Sequence, residues 1–248
     1  MPYKIITLVN ASLVLVMVLC FYFYMGISPD FEASSIKIKG NNLLSSSEIL
    51  KKTGIQPHVN IFRIKPAEIK DRLERDPWIK TATVRRELPN RIVIDLQERK
   101  PFIIWMSGAD PEGKAYLVDQ EGVILKEFHE GDDAGFNLPV LIKESPLAST
   151  LIEGEQERAY IQKVIPEIAK ILQADIPLFK QIKAITLSRV GNVTLIPFTQ
   201  TPEVRIHLPA YGNNLEYLKA LLPQLDVAHL AYIDLRFKKR VIIKPNNS

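Results

Sequence analysis

The first thirty residues restrict the chain more than any other segment, because the apolar run from Ile5 to Ile27 contains no charged side chain. A helix rises about 1.5 Å per residue, so about 20 apolar residues are enough to cross the hydrocarbon core of a bilayer. Aromatic residues at positions 21–24 lie near the end of the run, where amphipathic rings favour the headgroup layer. The run therefore predicts a transmembrane helix over residues 5–27.

The charges that flank the run indicate its orientation. Lys4 and the α-amino group precede it, whereas Asp30 and Glu32 follow it. Positive charge favours the cytoplasmic side of a membrane. We therefore expect residues 1–4 to form a short cytoplasmic tail, and the remainder of the chain to lie outside the cytoplasm.

The apolar run is also compatible with three alternatives to a transmembrane helix. A cleaved signal peptide is the main one, although the run is longer than the usual core of about 7–15 residues and lacks an A-x-A-like cleavage site. A lipoprotein would need a small residue before its cysteine, but Leu19 precedes Cys20. A buried helix of a soluble protein would need a polar face, for which the run has too few polar residues.

The remaining sequence has room for two small domains, since the whole chain has 248 residues. The net charge is +4, and without Lys4 the chain has 31 basic and 28 acidic side chains. Such a mixed surface does not favour nucleic-acid binding. The only cysteine, Cys20, lies in the apolar run, so we expect the body to be stabilised by packing without a disulfide.

Residues 34–100 have the pattern of one compact domain with the element order β-α-α-β-β. A Ser45–Glu48 capping box predicts the start of the first helix, and Gly54 predicts its end. Pro66 is suited to the first position of the second helix. Alternating apolar residues predict three strands, at 34–39, 80–88 and 91–98.

Residues 101–244 predict a second domain that is mostly antiparallel β-sheet with two helices. Helical spacing covers residues 153–173, where Pro166 is expected to kink or divide the helix, and residues 215–225. Short alternating segments predict the strands, of which the last two cover residues 231–237 and 240–244. Residues 245–248 are expected to be a disordered tail. The predicted fold class is therefore α+β, behind an N-terminal membrane helix.

The sequence contains no convincing catalytic, cofactor or metal site. The four histidines lack metal-ligand spacing, and Asp119 with Glu121 is expected to be a solvated turn. Ser34–Lys37 matches the S-x-x-K pattern and Lys52–Gly54 matches K-T-G, as in penicillin-interacting serine enzymes. Their predicted positions, at a strand start and a helix end, are wrong for that chemistry. We therefore expect no enzymatic activity, no cofactor and no small-molecule substrate.

An ordered series of short motifs resembles the FtsQ/DivIB family of bacterial cell division proteins, whose first extracytoplasmic domain is of the POTRA type. The motifs run along nearly the whole chain: I-K-G-N at 38–41, N-I-F at 60–62, P-W-I at 77–79, E-R-K-P-F at 98–102, L-V-D at 117–119 and Y-I-D-L-R-F at 232–237. Two departures are the cytoplasmic tail of about four residues and Lys238-Lys239-Arg240, where a turn with glycine is usual.

The resemblance implies a single-pass scaffold of the cell inner membrane, located at the division septum. Its implied partners are small coiled-coil proteins of the FtsB and FtsL type and other division proteins. The partner is implied to add a strand to an open edge of the β domain. An alternative is a POTRA-bearing component of an envelope transport or secretion system, but such systems need a companion β-barrel, and the chain lacks a long series of amphipathic strands.

The resemblance places the partner-binding residues at the C-terminal end. Alternation from residue 232 to 237 predicts one apolar and one polar face. Ile233 and Leu235 are interpreted as core residues. Arg236 is suited to a bidentate contact with a partner carboxylate, and Phe237 to an apolar pocket. The complete predicted site comprises Tyr232, Asp234, Arg236, Phe237, Lys238 and Arg240.

Overall fold

The computed structural model describes residues 2–106, 114–129, 137–144, 155–188, 190–198, 202–209 and 212–246. The chain has an α+β fold, as predicted, and its contacts divide it into two compact units, residues 1–99 and 100–248. The first unit begins with helix α1, Pro2–Ile27. Its segment Ile6–Ile27 is long and apolar enough to cross a membrane, and none of it is buried against the protein.

The rest of the first unit has the predicted β-α-α-β-β order. Its elements are β1 (Ser35–Lys39), α2 (Ser46–Thr53), α3 (Pro66–Glu74), β2 (Ile79–Glu87) and β3 (Arg91–Glu98). The strand order is β1-β3-β2, in which β3 pairs in parallel with β1 and antiparallel with β2. The two helices pack Ile49, Ile69 and Leu73 against Ile92 and Ile94 of the central strand.

The local signals in this unit have the predicted geometry. The Ser45 hydroxyl accepts a hydrogen bond from the Glu48 amide at 3.2 Å, and the Glu48 carboxylate accepts one from the Ser45 amide at 2.9 Å. Gly54 ends α2 with a left-handed φ of 64°. Pro66 is the first residue of α3. These signals fix the helix ends without any information from the rest of the fold.

The described residues of the second unit form one nine-stranded sheet and two α-helices. The strands are β4 (Pro101–Met106), β5 (Ala115–Asp119), β6 (Ile124–Phe128), β7 (Val140–Glu144), β8 (Ile182–Ser188), β9 (Asn192–Pro197), β10 (Glu203–His207), β11 (Leu230–Asp234) and β12 (Ile242–Pro245). Their order in the sheet is β12-β11-β10-β9-β8-β7-β4-β5-β6. The helices are α4 (Glu155–Leu172) and α5 (Gly212–Leu221).

Both helices bury their apolar side chains in the core of this sheet. Ile161, Ile165 and Ile168 of α4 and Leu218 of α5 are fully buried there. Each such side chain contributes about 1.5–3 kcal/mol relative to an exposed one. Pro166 was expected to kink or divide its helix, and it does not divide it, because α4 continues through this position. Residues 153 and 154, part of the predicted helix, lie outside the described residues.

The C-terminal strands differ from the prediction. Strand β11 ends at Asp234, three residues earlier than expected, and β12 begins at Ile242, two residues later. The predicted disordered tail is wrong at its start, because Pro245 belongs to β12 and the Asn246 amide donates to the His229 carbonyl at 2.8 Å. Residues 247 and 248 lie outside the described residues.

Candidate partner-binding edge

The C-terminal end of the second unit presents an open edge of the sheet. Strand β12 is the last strand in the described part of the sheet, and its one strand partner there is β11. In an antiparallel pair, every second residue of an edge strand directs its N–H and C=O groups away from its partner. Strand β12 therefore offers backbone groups to which another strand can bind.

Strand β11, which carries Tyr232 and Asp234 of the predicted site, is an inner strand and not the edge. It pairs in parallel with β10 and antiparallel with β12. Ile233 and Leu235 are buried, with exposures of 0% and 1%, as expected for core residues. The open edge that was expected at residues 231–237 therefore lies at the next strand, β12.

Asp234 and Arg236 form a close ion pair at the end of β11. The Asp234 carboxylate accepts hydrogen bonds from the Arg236 amide at 3.0 Å, from Nε at 2.9 Å and from Nη2 at 2.6 Å. Burial alone would raise the pKa of Asp234, but the hydrogen bonds from Arg236 and the charges of Arg236 and Arg205 outweigh it and lower the pKa. Arg236 thus already holds a carboxylate of its own chain.

Asn214, in the first turn of α5, fixes the backbone that follows β11. Its side-chain amide donates to the carbonyls of Leu235 and Phe237, both at 2.8 Å, and its oxygen accepts the Lys239 amide at 3.2 Å. Asn214 is 1% exposed, so these bonds satisfy groups that water reaches poorly. One side chain thereby positions the whole turn between β11 and β12.

Tyr232 lies between two cationic side chains. The guanidinium carbon of Arg205, on β10, is 4.0 Å from the centre of the Tyr232 ring. Lys244 of β12 approaches the same ring, with Nζ 5.7 Å from its centre. These cation–π contacts join three neighbouring strands on the polar face of the sheet.

The turn after Arg236 is exposed. Phe237 is 48% exposed, and Ile242 at the start of β12 is 42% exposed. Lys238 and Arg240 are exposed too, and within the described residues neither forms an ion pair. The structure thus brings an apolar ring and exposed positive charges next to the open edge.

The described residues contain no group of three or more His, Cys, Asp or Glu side chains that could hold a metal ion. The expectation of a solvated turn at Asp119 and Glu121 was wrong for Asp119, whereas Glu121 is exposed. Asp119 is 3% exposed, and its carboxylate accepts the amides of Glu121 at 2.9 Å and Val123 at 2.8 Å. It stabilises the tight connection between β5 and β6.

Sequence reasoning missed Asn214, Arg205, Ile242 and Lys244 as parts of this region. The alternation Val204-Arg205-Ile206 does place Arg205 on the polar face, but no local pattern indicates that β10 lies beside β11. Asn214 lies in the first turn of α5, more than twenty residues before the turn that its side chain supports. The contacts of both residues join segments that are distant in sequence, so no local pattern could predict them.

Comparisons with known proteins agree with this two-domain arrangement. Residues 31–99 match the family model of the FtsQ-type POTRA domain, and residues 109–236 match that of the C-terminal domain of cell division protein FtsQ/DivIB. The second match includes β11 and ends before β12.

Proteins of similar sequence are named cell division protein FtsQ or DivIB. The cell division protein FtsQ of Syntrophotalea carbinolica is 29% identical over 243 residues, which is 96% of this chain and 83% of the relative. That of Geotalea daltonii is 24% identical over 86% of this chain and 76% of the relative. The cell division protein DivIB of Clostridium acetobutylicum is 31% identical over 40% of this chain and 38% of the relative.

Proposed function

The chain belongs to the FtsQ/DivIB family of cell division proteins, and we propose that it is a scaffold of the division machinery without catalytic activity. In this proposal it binds small coiled-coil membrane proteins of the FtsB and FtsL type through the C-terminal edge of its β domain. By holding these partners it helps to recruit and regulate septal peptidoglycan synthesis.

The open edge at β12, with the exposed Phe237 beside it, is the observation that carries this proposal. A partner strand that pairs with β12 gains main-chain hydrogen bonds, and side chains next to the edge supply selectivity. Phe237 is suited to an apolar pocket of the partner, because aromatic side chains often contribute most of the binding free energy of an interface.

The charges around the edge favour an acidic partner segment. Lys238, Arg240 and Lys244 are exposed or lie on the edge strand, and Lys239 lies between the first two. Such charges at the rim of an interface mainly raise the association rate and select partners of opposite sign. Partner binding is therefore expected to weaken as the salt concentration rises.

The structure suggests different roles for the remaining predicted residues. Because Asp234 is buried and paired with Arg236, we propose that Asp234 positions Arg236 and the turn without contacting the partner. The Arg236 side chain is 32% exposed, so a partner carboxylate can reach its outer N–H groups. Tyr232 is assigned to the polar sheet face next to the edge, where Arg205 and Lys244 hold its ring.

The proposed location is based on helix α1. We propose that α1 crosses the cell inner membrane once, with the N-terminus in the cytoplasm and both globular units on the outer side. The length of the apolar segment of α1 and the single lysine before that segment support this orientation. We propose that binding to other division proteins brings it to the septum.

A binding experiment with point variants tests the partner site. The full chain, solubilised from membranes, is used to capture its partners, which are identified by mass spectrometry and then titrated. Phe237→Ala should weaken partner binding by roughly 1–3 kcal/mol. Phe198→Ala is the matched control, because Phe198 is 50% exposed and lies outside this edge. Equal losses for both variants, with folding intact, would contradict the proposed site.

Truncation and charge reversal provide independent measurements. Removing residues 241–248 deletes β12 but leaves β11, whose Ile233 packs in the core, so partner capture should be lost while the domain stays folded. Lys238→Glu should slow association, whereas Lys163→Glu on the exposed face of α4 should not. Capture of an outer-membrane barrel protein, in place of coiled-coil proteins, would contradict the scaffold function itself.

A further inference from the structure

We propose that the juxtamembrane turn, residues 58–63 of the POTRA domain, binds anionic phospholipid headgroups beside the end of α1, with Arg63 contacting the lipid phosphate. This inference rests on the proposed function in one respect, namely that α1 spans the membrane. It assigns the first domain a second contact with the membrane, in addition to its covalent connection.

The juxtamembrane turn is bonded directly to the last turn of α1. The Asn60 side-chain amide donates to the Met25 carbonyl at 2.9 Å, and Met25 lies two residues before the helix end. Carbonyls at a helix C-terminus lack partners within the helix, so this bond satisfies one of them. Asn60 is 8% exposed, and its oxygen accepts the Phe62 amide at 2.9 Å.

Backbone pairing and aromatic rings extend this contact. The Ile61 amide donates to the Phe31 carbonyl at 2.7 Å. The ring of Phe31 lies 6.2 Å from that of Tyr24 and 5.3 Å from that of Phe62, centre to centre. A tyrosine ring such as that of Tyr24, at the end of a membrane helix, favours the headgroup layer, and the two phenylalanine rings pack against it in sequence. Residues 60–63 are therefore held at the depth of the headgroups.

Acidic side chains near this turn already have partners. Asp30 accepts hydrogen bonds from the hydroxyls of Tyr24 and Ser28, both at 3.0 Å. The Glu32 carboxylate oxygen Oε2 lies 3.1 Å from Nδ1 of His58. Arg63 is exposed and forms no ion pair within the described residues. Its guanidinium is thus available to an anion from outside the chain.

Arg63 also lines a groove of about 200 Å³ between the end of α2 and α3. Lys65 and Arg72 line it too, and Glu68, its one acidic residue, pairs with Lys65 at 2.6 Å. Arg72 lies over Gly54 and donates to the Thr53 carbonyl. The lining is positive overall, which suits a phosphate group, and arginine binds phosphate with paired N–H donors.

The connection to α1 identifies the phosphate as a lipid phosphate. Asn60 is bonded to the helix end, and Val59 and Arg63, close to it in sequence, line the groove. The groove therefore lies near the membrane surface, where headgroups are present at high local concentration and a soluble anion is not. Each Lys or Arg close to an anionic bilayer surface strengthens binding roughly fivefold. Phosphatidylglycerol, an anionic phospholipid, is therefore the probe that the geometry favours.

A spin label can report whether the groove faces headgroups. The full chain with Cys20→Ser and Gln56→Cys carries one nitroxide at the groove rim, and it is reconstituted into nanodiscs of phosphatidylglycerol or of phosphatidylcholine. Collision with a water-soluble nickel chelate measures exposure of the label. We expect exposure several-fold lower in phosphatidylglycerol. Equal exposure in the two lipids would overturn the inference.

Two charge reversals complete the test. Arg63→Glu should abolish the difference between the lipids, whereas Arg75→Glu should preserve it, because Arg75 follows the end of α3 and does not line the groove. Equal effects of both variants would mean a nonspecific surface charge and would contradict the site. Equal shielding by inorganic phosphate in phosphatidylcholine nanodiscs would indicate a soluble anion and overturn the lipid assignment. If the chain does not enter nanodiscs, the proposed membrane span itself is wrong.

Discussion

The carboxylate of Asp234 binds both the backbone amide and the guanidinium of Arg236, two residues further along the chain. Such a bond from a side chain to a nearby amide replaces a bond of the strand ladder. Strand β11 therefore stops at Asp234, although the next residue, Leu235, is still buried in the core. The chain then turns outward, and Phe237 reaches the surface next to the open edge.

Asp234→Asn should destabilise the second unit by about 1–3 kcal/mol, because a buried charged acceptor is replaced by a neutral one. The measurement is denaturant unfolding of the full chain in detergent. Asp226→Asn is the control, since Asp226 pairs with His229 at an exposed position and should matter by less than about 0.5 kcal/mol. Equal losses would show that the Asp234–Arg236 pair does not stabilise the turn.

The same pair predicts a pH dependence of stability. The pKa of Asp234 in the folded chain lies below its ordinary value of 3.8, so the folded state favours the ionised form. This contribution is fully present above about pH 4 and is lost as the pH falls through the folded pKa. Unfolding free energies measured from pH 7 to pH 2.5 should fall less steeply for Asp234→Asn than for the wild type. If the unfolding free energies of the two proteins changed equally with pH, the lowered pKa of Asp234 would be contradicted.

The first domain could be predicted in detail because its signals are local. The Ser45–Glu48 capping box and Gly54 define α2 from residues close in sequence. Pro66 does the same for the start of α3. Alternating apolar residues then identify the strands, and the predicted order of elements matches the structure.

The candidate site could be predicted only in part, because its arrangement depends on contacts between residues distant in sequence. The period of two located strands near residues 231 and 240, but it cannot show that β11 pairs with β10 on one side and β12 on the other. It also cannot show that Asn214 supports the turn between them. The sequence pattern was therefore enough to recognise the residues of the strand. Which strand forms the open edge is known only from the strand order in the structure.

Gly40 is expected to be the less replaceable of two glycines with positive φ. At Gly40, with φ 82°, an added Cβ would lie 2.0 Å from the Leu96 carbonyl oxygen, and a backbone atom cannot move aside easily. At Gly54, the corresponding neighbour is the end of the Arg72 side chain. Gly40→Ala should lower the free energy of unfolding by more than about 2 kcal/mol and Gly54→Ala by about 1 kcal/mol, as measured by thermal unfolding. The reverse order would contradict this reasoning.

Glu98 should stabilise the first domain more than a typical surface acid. Its carboxylate accepts the amides of residues 42, 43 and 44 at 2.8, 2.8 and 2.9 Å, and so joins the end of β3 to the loop after β1. Glu98→Ala should cost about 1–3 kcal/mol, because three amides lose a charged acceptor. Glu87→Ala, which removes only exposed ion pairs with Arg85 and Arg91, should cost less than about 0.5 kcal/mol. Denaturant unfolding distinguishes the two, and comparable losses would assign Glu98 an ordinary surface role.

Asn214 is expected to control the conformation of the turn on which the partner site depends. Asn214→Ala leaves the carbonyls of Leu235 and Phe237 and the Lys239 amide without their side-chain partner. Each of these groups that stays buried should lower the free energy of unfolding by about 1–3 kcal/mol. Hydrogen exchange should therefore accelerate over residues 235–240, and partner affinity should fall even though every exposed residue of the edge is unchanged. Asn213→Ala is the matched control, because Asn213 is the preceding residue of the same helix and is exposed. If both variants exchange and bind like the wild type, the turn is held by the strands alone and Asn214 is dispensable.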